Sequence, residues 1–184
     1  GRIGVPMPMA NVRDGIRRAA GLLGNAPEHA SEAAEAIMTS DTRPKELAIE
    51  LKLAGRPVRI GGICKGAGMI QPGMSATGRR PAATPAAALH ATMLAFLTTD
   101  AAIEARLLRQ MLSHAVARSF NRITVDGDMS TNDTVLVLAT GLSGHPELRR
   151  LPKAKPRREL TLFQAALDRS EEHTSQLQSR QSKS

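Results

Sequence analysis

The most constraining feature of this sequence is a strict alternation of apolar and polar side chains from Lys45 to Leu53. Leucine or isoleucine occupies positions 47, 49, 51 and 53, and charged or small residues occupy the positions between them. Because successive side chains of a strand point to opposite faces of a sheet, this pattern predicts a half-buried β-strand. The turn residues of 54–57 follow it, and 58–63 returns as a partner strand. The sequence therefore predicts a β-hairpin.

Apolar residues at helical spacing predict four α-helices. They cover residues 11–23, 31–38, 100–120 and 160–167. Ser31 and Asp100 are the predicted N-caps of the second and third helices, since their side-chain oxygens can accept hydrogen bonds from the first turn.

Two shorter strands are predicted at 93–97 and 122–126, the first of them buried. The uniformly apolar run 134–139 has no period that separates a strand from a helix. Asn132 before the run and Gly141 after it favour helix caps. The fold class is therefore mixed α and β.

Composition limits the classes of function. The chain has 184 residues, enough for one domain, but only 2% aromatic residues, so the core must be aliphatic. A net charge of +8 invites a nucleic-acid-binding interpretation. The near absence of stacking aromatics argues against it. No apolar run is long enough to span a membrane, and no signal peptide is visible.

Cys64 is the sole cysteine, which excludes an internal disulfide and a multi-cysteine metal site. This fits a cytoplasmic location. The chain opens at Gly1 without an initiator Met, and we interpret it as a fragment. The Pro/Ala-rich stretch 73–90 is expected to be a flexible insertion. Residues 168–184 look like a non-native, disordered tail.

Three blocks carry a resemblance to a known family. They are Ala36-Ile37-Met38-Thr39-Ser40-Asp41-Thr42-Arg43-Pro44-Lys45, then Lys65-Gly66-Ala67-Gly68-Met69-Ile70 with Ala91-Thr92-Met93-Leu94-Ala95-Phe96, and then Ser119-Phe120-Asn121-Arg122-Ile123-Thr124-Val125-Asp126-Gly127-Asp128 with Ser130-Thr131-Asn132-Asp133. In this order they resemble the bifunctional ornithine acetyltransferase / glutamate N-acetyltransferase family of arginine biosynthesis. The resemblance runs from Gly1 to about Gly144 and resumes over 160–167.

The resemblance implies a self-cleaving enzyme. The chain would break between Ala91 and Thr92, so that 1–91 is the end of an α-chain and 92–167 the start of a β-chain. Thr92 would be the nucleophile and would also contact substrate, together with Thr39 and Lys65. Gly1 resembles the glycine of the family's oxyanion hole. The implied fold is an α/β (α+β) sandwich of sheets and helices of the N-terminal-nucleophile kind, truncated at both ends.

The implied reaction moves an acetyl group from N-acetylornithine to glutamate through an acetyl-threonine intermediate. The resemblance implies no metal and no cofactor, although acetyl-CoA serves some members as a donor. It also implies processed α and β chains in a hetero-oligomer, and neither a nucleic acid nor a membrane as partner.

The sequence departs from the family beside the cleavage point. Residues 73–90 intervene between Pro72 and the Ala91-Thr92 pair. Within them Ala76-Thr77 is a decoy pair, a second Ala-Thr sequence that resembles the cleavage point. Thr92 is preferred because Met93 to Phe96 follow it as the family pattern requires. Two alternatives stay open: a related self-processing aminopeptidase with an N-terminal Thr or Ser, and a non-catalytic basic nucleic-acid-binding fragment. A further open alternative is that the fragment is inactive by itself.

Overall fold

The computed structural model describes residues 5–67, 93–124, 127, 130, 132–149 and 158–179, with the side chains of the last helix described as far as 170. These ranges contain four α-helices, four strands and one 3₁₀ helix. In chain order they are α1 Met9–Gly21, α2 Pro27–Ala36, β1 Lys45–Leu53, β2 Arg56–Lys65, β3 Leu94–Thr99, α3 Ala105–Arg118, the 3₁₀ helix Phe120–Arg122, β4 Thr134–Ala139 and α4 Arg158–Ser179.

The strands form one sheet in the order β1-β2-β3-β4. β1 and β2 are antiparallel, with Leu53 opposite Arg56 and Lys45 opposite Cys64, which confirms the predicted hairpin. Ala54 and Gly55 both have positive φ at its turn, the backbone geometry of a tight hairpin connection. β3 pairs antiparallel with β2 and parallel with β4. The mixed α and β class is thus confirmed.

The core lies on one face of the sheet. α4 packs against β1 and β2, and α3 packs against α4. The alternation of β1 places Ile49, Leu51 and Leu53 on this face, in one apolar cluster with residues of both helices. The buried members of this core include Leu53, Val58, Ile60, Leu97, Met111, Phe163 and Leu167.

The opposite face of the sheet is only partly covered. α2 lies along β1 and β2, and Ser31 donates a hydrogen bond to Glu46 at 2.9 Å. A groove of about 700 Å³ remains between α2 and the sheet, with Ile63 and Phe96 among its lining residues. On β4, Leu136 and Leu138 of the same face are 47% and 61% exposed. This face is therefore an open apolar surface in the described part of the chain.

The structure corrects the prediction for 134–139, which form a strand instead of a helix. β4 pairs with β3 along its whole length. An apolar run without a period is compatible with a helix or a strand, and the pairing with β3 makes it a strand. The predicted strand 122–126 is also wrong at its start, because Arg122 ends a 3₁₀ helix. Residues 125 and 126 lie outside the described residues.

Both predicted N-caps are wrong. α3 begins at Ala105, and the Asp100 carboxylate instead accepts the Arg59 backbone N–H at 2.8 Å. α2 begins at Pro27, a favoured residue at the first position of a helix, so that Ser31 lies inside it. The last predicted helix continues past Leu167 to Ser179, since the glutamate and glutamine residues of 171–178 are good helix formers. Helix therefore replaces the predicted disorder over 168–179.

Candidate active site

The predicted substrate-contacting residue Lys65 lies where the predicted nucleophile segment enters the sheet. Lys65 is the last residue of β2 and is paired with Leu94, the first residue of β3. Thr92 stands two positions before Leu94 in the sequence. Ala91 and Thr92 themselves lie outside the described residues, as do Gly1 and the decoy pair Ala76-Thr77. The roles predicted for these residues stay predictions.

A buried ion pair lies beneath this end of the sheet. Lys45 Nζ is 2.6 Å from Asp41 Oδ1, and the two side chains are 0% and 1% exposed. Lys45 also donates to the Gly66 carbonyl at 2.6 Å, and Asp41 Oδ1 accepts the Gly66 backbone N–H at 2.8 Å. The second oxygen of Asp41 accepts the Thr39 backbone N–H at 3.4 Å. The ion pair thus links the backbone of Thr39 to the backbone of Gly66, the residue after Lys65.

The electrostatics of this cluster follow from burial and charge. Burial alone would raise the pKa of Asp41, but hydrogen bonds from Lys45, Gly66 and Thr39, with the charge of Lys45, hold it below its ordinary value of 3.8. Burial lowers the pKa of Lys65, which is 4% exposed. The charges of Asp41 and Asp133 oppose that shift, and the charge of Lys45 adds to it.

The residue that follows Thr92 is anchored by the third sequence block. Met93 is fully buried, and its backbone N–H donates to Asp133 Oδ1 at 3.2 Å. Its carbonyl accepts the Thr134 backbone N–H at 3.1 Å. The nitrogen of Met93 belongs to the peptide bond that joins it to Thr92. Asp133 and the start of β4 therefore hold the chain next to the predicted nucleophile.

Sequence reasoning predicted substrate contacts for Thr39 and Lys65 but did not single out the residues near them, namely Asp41, Lys45 and Asp133. A signal for Lys45 was present, because the alternation that buries Leu53 also places Lys45 on the buried face. A lysine there requires a charged partner. Asp41, four residues earlier, was the nearest carboxylate in the sequence.

Cys64 is buried beside this cluster, as expected for a small core residue. Burial raises the pKa of its thiol from 9.0 to about 12; the Asp41 charge adds to this effect and the Lys45 charge opposes it.

We expect thiol labelling of Cys64 near pH 8 to be slower in the folded chain than in urea by roughly a thousandfold, since the thiolate fraction falls tenfold for each unit by which the pKa rises. With one cysteine in the chain, Ellman's reagent reports Cys64 alone. Equal folded and unfolded rates would contradict the burial.

The described ranges contain neither a metal-binding group of side chains nor a membrane-spanning helix. No group of three or more His, Cys, Asp or Glu side chains among them is arranged to hold a metal ion. None of their helices combines the length and apolarity that crossing a membrane requires.

Comparison with known proteins identifies the family. The sequence model of the ArgJ family matches residues 1–180 of this chain. The chain belongs to the ArgJ family. This confirms the resemblance seen in the sequence blocks, and places the cluster around Lys65 inside the matched region of an ArgJ-family chain.

Named ArgJ-family relatives are similar over most of this chain. The arginine biosynthesis bifunctional protein ArgJ of Symbiobacterium thermophilum is 53% identical over 148 residues, covering 80% of this chain and 32% of the relative. The glutamate N-acetyltransferase of Methanocaldococcus jannaschii is 49% identical over 146 residues, covering 78% of this chain and 32% of the relative. The chain therefore spans about a third of the length of these relatives.

A solved structure, the PH0078 protein of Pyrococcus horikoshii, is 12% identical to this chain. Its TM-score is 0.39, over 73% of this chain and 38% of that one.

Proposed function

We propose that this chain is part of an acyltransferase of arginine biosynthesis that moves an acetyl group from N-acetylornithine to glutamate. Two ArgJ-family relatives that carry the names of such enzymes are 49% and 53% identical to it, which supports the reaction class. The observation that carries the proposal is the position of Lys65, a buried ammonium at the sheet end where the strand after Thr92 begins.

Thr92 is proposed to act first on its own chain. Its hydroxyl attacks the Ala91 carbonyl, the Ala91–Thr92 peptide bond breaks, and the chain is joined by an ester with a free α-amino group on Thr92. Water then hydrolyses the ester, which leaves a carboxylate on Ala91 and restores the hydroxyl. The free amine, with an ordinary pKa of about 8, can accept the hydroxyl proton during turnover.

Acetyl transfer then takes two steps. Thr92 Oγ attacks the acetyl carbonyl of N-acetylornithine, the amide C–N bond breaks, and ornithine leaves with the proton. The glutamate amine next attacks the acetyl ester and releases N-acetylglutamate and the Thr92 hydroxyl. The backbone N–H of Gly1 is proposed as one oxyanion donor. Acetyl-CoA is an alternative acetyl donor in the same scheme.

Lys65 and Thr39 are proposed to bind the substrate. The ammonium of Lys65 would hold the substrate carboxylate as a compact point charge. A bound carboxylate adds negative charge beside an ammonium whose pKa burial lowers, so binding favours its protonated form. Thr39 would supply one hydrogen bond to the substrate.

The finer architecture is proposed as well. A second layer on the open face of the sheet would complete the sandwich of the N-terminal-nucleophile kind. The half-covered Ile63 and Phe96 and the exposed leucines of β4 support it, because apolar sheet faces are normally buried against another layer. The processed α and β chains would then form the proposed hetero-oligomer.

The test is the intact mass of the purified chain beside a Thr92→Ala variant. We expect two fragments that meet at Ala91/Thr92, and one uncleaved species for the variant, because the attacking hydroxyl is gone. Acetyl transfer from N-acetylornithine to glutamate should disappear with it. A cut at Ala76/Thr77 would move the nucleophile, and peptide hydrolysis without acetyl transfer would favour the aminopeptidase.

A further inference from the structure

The carboxylate of Asp41 joins the two segments that carry the proposed substrate-binding residues. One of its oxygens accepts the backbone N–H of Gly66, the residue after Lys65, at 2.8 Å. The other accepts the backbone N–H of Thr39 at 3.4 Å. These segments are separated by all of β1 and β2 in the sequence. A single side chain therefore contacts both segments at this end of the sheet.

Lys45 completes the contact with Gly66. Its ammonium donates to the Gly66 carbonyl at 2.6 Å and to Asp41 Oδ1 at 2.6 Å. Both backbone groups of Gly66 are thus bound by buried charged side chains. Gly66 also has a φ of 134°, a conformation that residues with a Cβ rarely adopt. The backbone directly after Lys65 is therefore held in one unusual conformation.

The stability of the fold alone does not require charged side chains at positions 41 and 45. A buried ion pair can often be replaced by a neutral pair of similar volume at little cost in stability. Such a replacement would remove the charged hydrogen bonds that hold Gly66. A packing role does not explain why both backbone groups of Gly66, one residue from Lys65, are hydrogen-bonded to this pair.

We propose that Asp41 and Lys45 are positioning residues, which clamp Gly66 and thereby hold Lys65 and Thr39 at the spacing that the substrate needs. The inference rests on the proposed function for the identity of the substrate. Neither side chain touches substrate in this scheme. Each acts through the backbone of Gly66 or Thr39, so that loss of the clamp changes substrate binding through Lys65.

The test variant is Asp41→Asn/Lys45→Met, which removes both charges of the pair together, so that neither is left buried without the other. The matched control is Glu50→Gln, which breaks the exposed pair of Glu50 and Arg59 on the same hairpin. Burial lowers the pKa of Lys65, while Asp41 and Lys45 act on it in opposite directions, so that removing both limits any electrostatic effect on its reactivity.

The first readout needs no enzymatic activity. Acetic anhydride acetylates accessible lysines, and mass spectrometry compares Lys65, which is 4% exposed, with the exposed Lys52 of the same chain. We expect the Lys65/Lys52 rate ratio to rise at least about tenfold in the Asp41→Asn/Lys45→Met variant, because unclamped backbone opens locally. The Glu50→Gln control should leave the ratio unchanged. An unchanged ratio in the test variant overturns the proposal.

The second readout separates positioning from general stability. We expect the KM for N-acetylornithine to rise by on the order of tenfold in the test variant, the size of a lost hydrogen bond to a charged group, with kcat changed far less. In a Lys65→Met background the same pair of substitutions should change KM less than about twofold, because coupled residues are not additive. An equal KM increase in both backgrounds overturns the proposal. If the unmutated chain has no turnover, it is not a competent acetyltransferase by itself, and the Lys65/Lys52 ratio alone decides the positioning.

Discussion

Asp41→Ala is expected to lower the free energy of unfolding by about 3–5 kcal/mol, the cost of leaving one member of a buried ion pair without its partner. The substitution leaves the Lys45 ammonium, whose side chain is 0% exposed, with the Gly66 carbonyl as its remaining partner among the contacts described above. It also removes the acceptor of the Gly66 backbone N–H. Urea unfolding followed by circular dichroism measures the change.

Two control variants give this prediction its contrast. Glu50→Ala breaks an exposed ion pair on the β1–β2 hairpin and should cost at most about 1 kcal/mol. Asp41→Asn/Lys45→Met should cost clearly less than Asp41→Ala, since neither charge of the pair is left buried without the other. If Asp41→Ala cost no more than Glu50→Ala, the buried pair would not be stabilising in the folded chain.

The pH dependence of this effect has a definite sign. The folded Asp41 carboxyl has a pKa below its ordinary value of 3.8, so in acid the unfolded chain binds its proton first. The contribution of Asp41 is therefore complete above the ordinary value, and it is lost as the pH falls through the lower folded value. The difference between the unmutated chain and Asp41→Ala should shrink in acid below about pH 4.

Phe163→Ala is the second large expected effect, with a loss of about 3–5 kcal/mol, because it opens a cavity in the core. Phe163 is fully buried on α4, in the same apolar cluster as Val58 and Ile60 of β2. For a chain of this size such a loss lowers Tm by roughly 6–20 °C. Differential scanning fluorimetry or calorimetry measures the shift.

The neighbouring Leu162 is the matched control for Phe163. Its side chain is 41% exposed on the same helix, so Leu162→Ala should cost much less than Phe163→Ala. The comparison also tests whether α4 belongs to the folded core, as its contacts with β1 and β2 indicate. Similar losses for the two variants would show that α4 is not seated on the sheet as described.

Much of the fold could be predicted from periodicity, and the errors have physical causes. The β1–β2 hairpin follows from alternation and turn residues, which are local signals. β4 does not, because an apolar run without a period becomes a strand only when β3 offers it a partner. Asp100 resembled a helix cap but binds the Arg59 backbone of another strand, a contact that local sequence does not reveal.

The candidate site was predictable only in part. Thr39 and Lys65 came from the sequence blocks that resemble the family, whereas the ion pair that connects them did not. Its members are close in sequence, but Gly66 reaches them only when β2 returns beside β1. The partnership is therefore a product of hairpin geometry, and the one local hint was the position of Lys45 on the buried side of the alternation.

The position of β4 in the sheet has a practical consequence for handling the protein. In the described part of the chain β4 is the outermost strand, paired with β3 along one side. Its sequence, Thr134 to Ala139, contains no charge, proline or glycine that would discourage another strand from pairing with its free backbone groups. The same six residues combine high β-propensity with exposed leucines, the combination typical of segments that nucleate ordered aggregates. Concentration of the protein is therefore expected to promote self-association through this edge.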